Sequence, residues 1–98
     1  MRDAIAQYNL GWMYKFGHGV EQSNEKAWEW YQKAAEQGLA IAQYKLGTMY
    51  FNGTGIKRSY EKAAEWYQKA AEQGLARAQK CLGAMYKKRS FAHEYEEQ

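Results

Sequence analysis

The residues at positions 5–40 and those at positions 41–76 are two versions of one text. They read IAQYNLGWMYKFGHGVEQSNEKAWEWYQKAAEQGLA and IAQYKLGTMYFNGTGIKRSYEKAAEWYQKAAEQGLA, and about 26 of the 36 positions agree. A third copy opens at Arg77 as RAQKCLGAMYKK and then departs from the pattern. Self-similarity at one fixed period implies like units, none able to bury its apolar face alone, stacked on their neighbours. The chain is expected to form one domain over residues 1–98: repeat 1 at 5–40, repeat 2 at 41–76, and a partial repeat or C-terminal cap at 77–98.

Each unit reads as two helices. Helix A is expected at 3–16, 39–52 and 75–88, where Ala6, Leu10, Met13 and Tyr14 and their copies recur at helical spacing. Helix B is expected at 23–37 and 59–73, with Ser23 and Ser59 as N-caps and Glu25 and Glu61 in the first turn. Ala27, Trp30, Tyr31 and Ala34 are its expected buried face. Gly38 and Gly74 fit the left-handed position that closes a helix, with Leu39 and Leu75 as the apolar residues just beyond. Gly11, Gly47 and Gly83 fall inside helix A, where glycine costs about 1 kcal/mol against alanine. Their reuse points to a neighbouring helix or ring that approaches closely. The loops GHGVEQ and GTGIKR carry a Gly-x-Gly pair. No strand precedes it and no Lys-Ser/Thr pair follows, so it reads as turn geometry rather than a phosphate cradle, with Val20 and Ile56 tucked back into the core.

Charge and cysteine usage exclude more than they assign. The net charge is only +3, and the clusters Lys57-Arg58 and Lys87-Lys88-Arg89 are short. They read as solvated surface, so no nucleic-acid partner is expected. No stretch approaches the ~20 apolar residues of a membrane span. Cys81 is the sole cysteine, which rules out an intrachain disulfide and, with no signal peptide in view, slightly favours the cytoplasm.

Catalysis and cofactors find little support. Cys81 has only His18 and His93 as candidate bases, one in the first loop and one in the tail. Two isolated histidines do not make a metal site. The glutamates of helix B stand beside lysines at helical spacing and read as a solvated face. No enzyme activity and no cofactor are expected.

The order LG-x-MY-x-x-G-x-G-[VI], then EKA-x-E-WYQKAAEQG-x-A-x-AQ, resembles the Sel1-like repeat, a relative of the tetratricopeptide repeat with a longer unit and a Gly-x-Gly loop. Residues 5–76 match as two copies and 77–88 as the first helix of a third. The resemblance implies an all-α fold: an α/α solenoid, a right-handed superhelix of antiparallel helix pairs, with two full repeats plus one helix. It also implies an adaptor or scaffold for other proteins. A cysteine-rich bacterial subgroup ties its helix pairs with disulfides and has been linked to penicillin binding; lacking cysteine pairs, this chain fits that ligand-binding or hydrolase reading poorly. After Lys88, Arg89 and Phe91 stand where Gly17 and Gly19 stand in the first copy. The tail RSFAHEYEEQ reads as a polar cap helix, a run-on of the third helix A, or a frayed end.

Identity between copies marks what the architecture needs, and difference marks positions free for other work. Positions 9, 12 and 16 vary and share one helical stripe off the Ala6–Leu10–Tyr14 line. The resemblance implies that helix A lines a concave groove. The expected groove residues are Asn9, Trp12, Phe16, Lys45, Thr48, Asn52, Cys81, Ala84 and Lys88, aromatic at one end and polar to basic at the other. A protein or peptide partner with an apolar anchor near Trp12 and Phe16 and an acidic segment near Lys45 and Lys88 would suit it. A competing reading has Trp12 and Phe16 covering the raw N-terminal end or packing into a homo-oligomer, as a self-assembling structural protein would use them. Trp30 and Trp66, repeated, read as core. Trp28 against Ala64 and Asn24 against Tyr60 vary on helix B and read as tuning the fit between hairpins.

Overall fold

A computed structural model describes residues 2–96, with side chains through residue 87. Five helices follow in order: α1 (Ala4–Phe16), α2 (Asn24–Glu36), α3 (Ala40–Asn52), α4 (Tyr60–Glu72) and α5 (Ala76–Glu96). They pack chiefly on their neighbours in sequence, and the molecule measures 53 × 26 × 16 Å. This is the stacked-hairpin solenoid that the period implies.

The local chemistry sets each boundary. Ser23 and Ser59 cap α2 and α4, their hydroxyls accepting from the amides of Lys26 and Lys62 at 3.2 Å. At the far end of α2 the Gly38 amide donates to Ala35 and the Leu39 amide to Ala34; Gly74 and Leu75 repeat the pattern on α4. The chain leaves α1 and α3 through Gly17 at φ 67° and Gly53 at φ 71°, a conformation that side chains with a Cβ resist. Arg89 occupies the third such position, and α5 runs straight on to Glu96. Of the three readings of the tail, the backbone takes the run-on.

Helix α3 has a hairpin partner on each side, and Ala42, Leu46, Met49 and Tyr50 are all buried. The mid-helix glycines earlier in the fold have the expected cause. A Cβ on Gly11 would stand 2.7 Å from the Tyr31 ring, and one on Gly47 would stand 2.8 Å from the Tyr67 ring. Each tyrosine of helix B presses its ring carbons against the bare backbone of its own helix A. Ile56 packs against the core, and Val20 is half-buried. The second loop also leans on the first hairpin, where a Cβ on Gly55 would overlap the Asn24 carbonyl.

Of the two repeated tryptophans, Trp66 is half-buried and packs against the core, while Trp30 corrects the expectation. Ala27, Tyr31 and Ala34 are buried with Ala35, whereas Trp30 is only half-buried. Adjacent residues on a helix point about 100° apart; Tyr31 takes the buried direction and Trp30 the edge. There Lys33 lies 4.4 Å above its ring, and Lys69 lies 4.7 Å above Trp66. Trp28 packs against both hydrophobic clusters, as a residue fitting one hairpin to the next would.

Candidate partner-binding groove

Helices α1, α3 and α5 carry the variable stripe. On α1, Asn9 is exposed, Trp12 is 40% exposed and Phe16 is 54% exposed. Residues four apart on a helix are neighbours, and the two rings sit 5.1 Å apart. The turn at Gly17 brings His18 back over them. Its imidazole stacks on Trp12 at 4.6 Å with planes 16° apart, and lies 6.4 Å from Phe16. Three rings thus form one partly exposed aromatic surface. The sequence reading weighed His18 only as a catalytic base or a metal ligand. The signal for its real place was its position just past a glycine turn that reverses the chain toward position 12.

The stripe on α3 is more polar. Lys45 is half-buried and Asn52 exposed. Thr48 is half-buried and committed to the fold: its hydroxyl meets the Tyr44 carbonyl at 3.1 Å and the Tyr67 hydroxyl at 2.9 Å. Burial pushes the Tyr67 hydroxyl up to about 12, with the Thr48 bond opposing and the nearby Cys81 thiol adding to the rise. Cys81 is half-buried, a small group against a ring, and Ala84 is exposed. The side chain of Lys88, like that of His93, falls outside the described residues.

A second lysine joins the site. Lys15, on α1, has its pKa lowered, first by burial and then by the charge of Lys45 on α3. Two like charges from adjacent A helices therefore share one neighbourhood, and neither has an ion-pair partner among the described residues. The stripe at 9, 12 and 16 did not include position 15, since Lys15, Phe51 and Lys87 vary one residue to its side. Beneath this end of the site, the Tyr31 hydroxyl is buried with no hydrogen-bond partner. Burial, and then Tyr8, hold its proton well above the ordinary phenol range.

This arrangement offers contact chemistry: exposed rings, paired cations and a few amides. Among the described residues no three His, Cys, Asp or Glu side chains gather as a metal would need. No described helix is long and apolar enough to cross a membrane.

Comparison with known proteins agrees with this architecture. A crystal structure of a Sel1 repeat protein from Oxalobacter formigenes superposes with a TM-score of 0.84 at 46% identity, covering 86% of this chain and 35% of that one. The structure of c5321, a protective antigen of uropathogenic Escherichia coli with an SLR fold, gives 0.83 at 43% identity over 89% of this chain and 19% of that one. Helicobacter pylori cysteine rich protein B gives 0.78 at 25% identity, covering 81% and 59%. Chitin synthase regulator SKT5 of Saccharomyces cerevisiae is 50% identical over 30 residues, which is 31% of this chain and 4% of that protein. The chain thus spans about a third or less of the length of the first relatives it matches. Sel1 repeat proteins are in general protein-interaction and scaffold modules. The family model of the Sel1 repeat matches residues 4–39 and again 40–75, and the chain belongs to the Sel1 repeat family.

Proposed function

We propose that the chain is a protein-interaction module of adaptor or scaffold type that holds a partner segment along the stripe of its A helices. The anchor is the Trp12–Phe16–His18 surface, where an apolar or aromatic partner residue would dock. Beside it, Lys15 and Lys45 would receive carboxylates, with Lys88 extending the basic end. Asn9, Asn52 and Ala84 line the path, while Thr48 and Cys81 support it from below. The observation that carries this reading is the partly exposed aromatic cluster itself. Trp12 and Phe16 occur in the first repeat alone, while Thr48 and Asn52 stand at their places in the second. Large aromatics are the usual anchors of protein interfaces.

Selection from a random peptide library tests it. Enrichment of sequences with an apolar residue close to Asp or Glu is expected, and Trp12→Ala/Phe16→Ala should abolish it while circular dichroism shows the helices intact. Equal enrichment with the double variant would move the site elsewhere. Unchanged affinity in Lys45→Glu/Lys88→Glu would remove the acidic half of the reading. Exposed Ile5, Trp12 and Phe16 at one end of the array also suit self-assembly. A chain that stays monomeric from micromolar to millimolar concentration would exclude that alternative.

A further inference from the structure

Helix A uses two faces. One, carrying Ala42 and Leu46 in α3, packs toward the preceding hairpin. The other, carrying Gly47 and Tyr50, receives the helix B that follows. Gln43 stands between the two, its amide donating to the Ala35 carbonyl of α2 and its oxygen accepting from Gln73 just past α4. In α3 the second stripe is buried: Gln43 is 5% exposed, Tyr50 is 6% exposed, and the Tyr67 ring covers Gly47. In α5 the first face is used in the same way, with Ala78 and Leu82 buried. Its second stripe is uncovered among the described residues: Gly83 is exposed, Tyr86 is 54% exposed, and a Cβ on Gly83 would meet nothing within 4 Å. Gln79 is exposed although its amide still donates to the Ala71 carbonyl of α4, as that of Gln43 does to Ala35. Among the described residues nothing covers this stripe: Arg89 stands where the turning glycines stand in the earlier copies, and the helix continues to Glu96.

The fold itself shows what fits such a stripe. Twice within this molecule the occupant is an amphipathic helix with alanine, tyrosine and alanine on its inner line: Ala27, Tyr31 and Ala34 in α2, and Ala63, Tyr67 and Ala70 in α4. Charge narrows the choice further. From Arg77 to Arg89, α5 has five basic residues and no acidic one, and Lys80 stands where Tyr8 and Tyr44 meet the helix B tyrosine in the earlier repeats. We infer that the Gln79–Gly83–Tyr86 face of α5 is a second docking site, separate from the groove, for an acidic amphipathic helix of a partner protein that lays an aromatic ring over Gly83. The site is continuous with the interface that α4 already makes with α5.

A fluorescein-labelled peptide of residues 59–75, SYEKAAEWYQKAAEQGL, is the probe, read by anisotropy against the full chain. Saturable binding is expected. Gly83→Leu should weaken it at least tenfold, and the peptide bearing alanine at its central tyrosine should do the same. Lys80→Glu should weaken it less, and Trp12→Ala/Phe16→Ala should leave it unchanged. Gly83 faces open space, so Gly83→Leu is expected to fold; Gly83→Ala is the milder check if it does not. Absence of binding to the wild type, equal binding to Gly83→Leu, or loss of binding in the groove double variant would each overturn the inference. So would a wild-type chain that sediments as a dimer and a Gly83→Leu chain that sediments as a monomer, since the occupant would then be a second copy.

Discussion

Tyr31 and Tyr67 occupy the same place in two copies of the same hairpin, yet their hydroxyls live in different company. Tyr67 shares a hydrogen bond with Thr48, while Tyr31 is equally buried and has none. The cause is one substitution: Trp12 stands where the second repeat has Thr48. An unpaired buried hydroxyl costs about 1–3 kcal/mol. The first hairpin therefore carries a local cost that the second avoids, at the residue that also presents its rings to solvent.

Alkaline titration should produce the largest effect. A tyrosine buried without charge keeps its proton longer in the folded chain than in the unfolded one. Below the ordinary tyrosine pKa of 10, both states are neutral and stability is full. Above it the unfolded chain sheds protons first, so stability falls as pH rises toward the folded value, about 12 for Tyr67 and higher for Tyr31. Each such tyrosine loses about 1.4 kcal/mol per pH unit across its window. Urea unfolding at pH 9, 10, 11 and 12 would measure the slope. Tyr31→Phe and Tyr67→Phe should each flatten it by a similar amount between pH 10 and 11, with the two diverging only toward pH 12, where Tyr67 begins to ionise in the folded chain. A slope unchanged in either variant would show that its tyrosine is not held neutral by the fold.

Next in size come the glycines under these rings. Gly11→Ala and Gly47→Ala each push a methyl group against tyrosine carbons and a helix B carbonyl, and should cost about 1–3 kcal/mol as overpacking. Gly83→Ala, the same change on a bare face, should instead gain up to about 1 kcal/mol from helix propensity. Thermal melts of the three variants test this opposition of sign. The smallest effect sharpens the opening contrast. Tyr67→Phe should cost about 1 kcal/mol by removing a made hydrogen bond, and Tyr31→Phe should be neutral or stabilising. A matching loss in both variants would show that Tyr31 has a partner after all.

The repeat made the helix pairs, their caps and the mid-helix contacts legible, because those depend on residues spelled alike in both copies. What escaped was decided between unlike residues. The solitude of the Tyr31 hydroxyl depends on Trp12, nineteen positions away, and the place of His18 depends on how a loop closes. The pairing of Lys15 with Lys45 joins two helices whose spacing no single helix encodes. Trp30 shows a different limit: an apolar pattern names a broad face, and packing alone decides which of two adjacent rings goes inside. The straight run of α5 was signalled by Arg89 and Phe91, but a missing turn says only where the chain does not bend.

The contact between the second loop and α2 has a geometric consequence. Gly55 meets the Asn24 backbone with no room for even a methyl group, so one residue gauges the spacing at which the second hairpin rests on the first. Spacing between stacked units sets the curvature of a solenoid. Any larger residue at position 55 would act as a wedge and open the pitch, altering the distance between the Trp12 anchor and everything downstream of it without touching either.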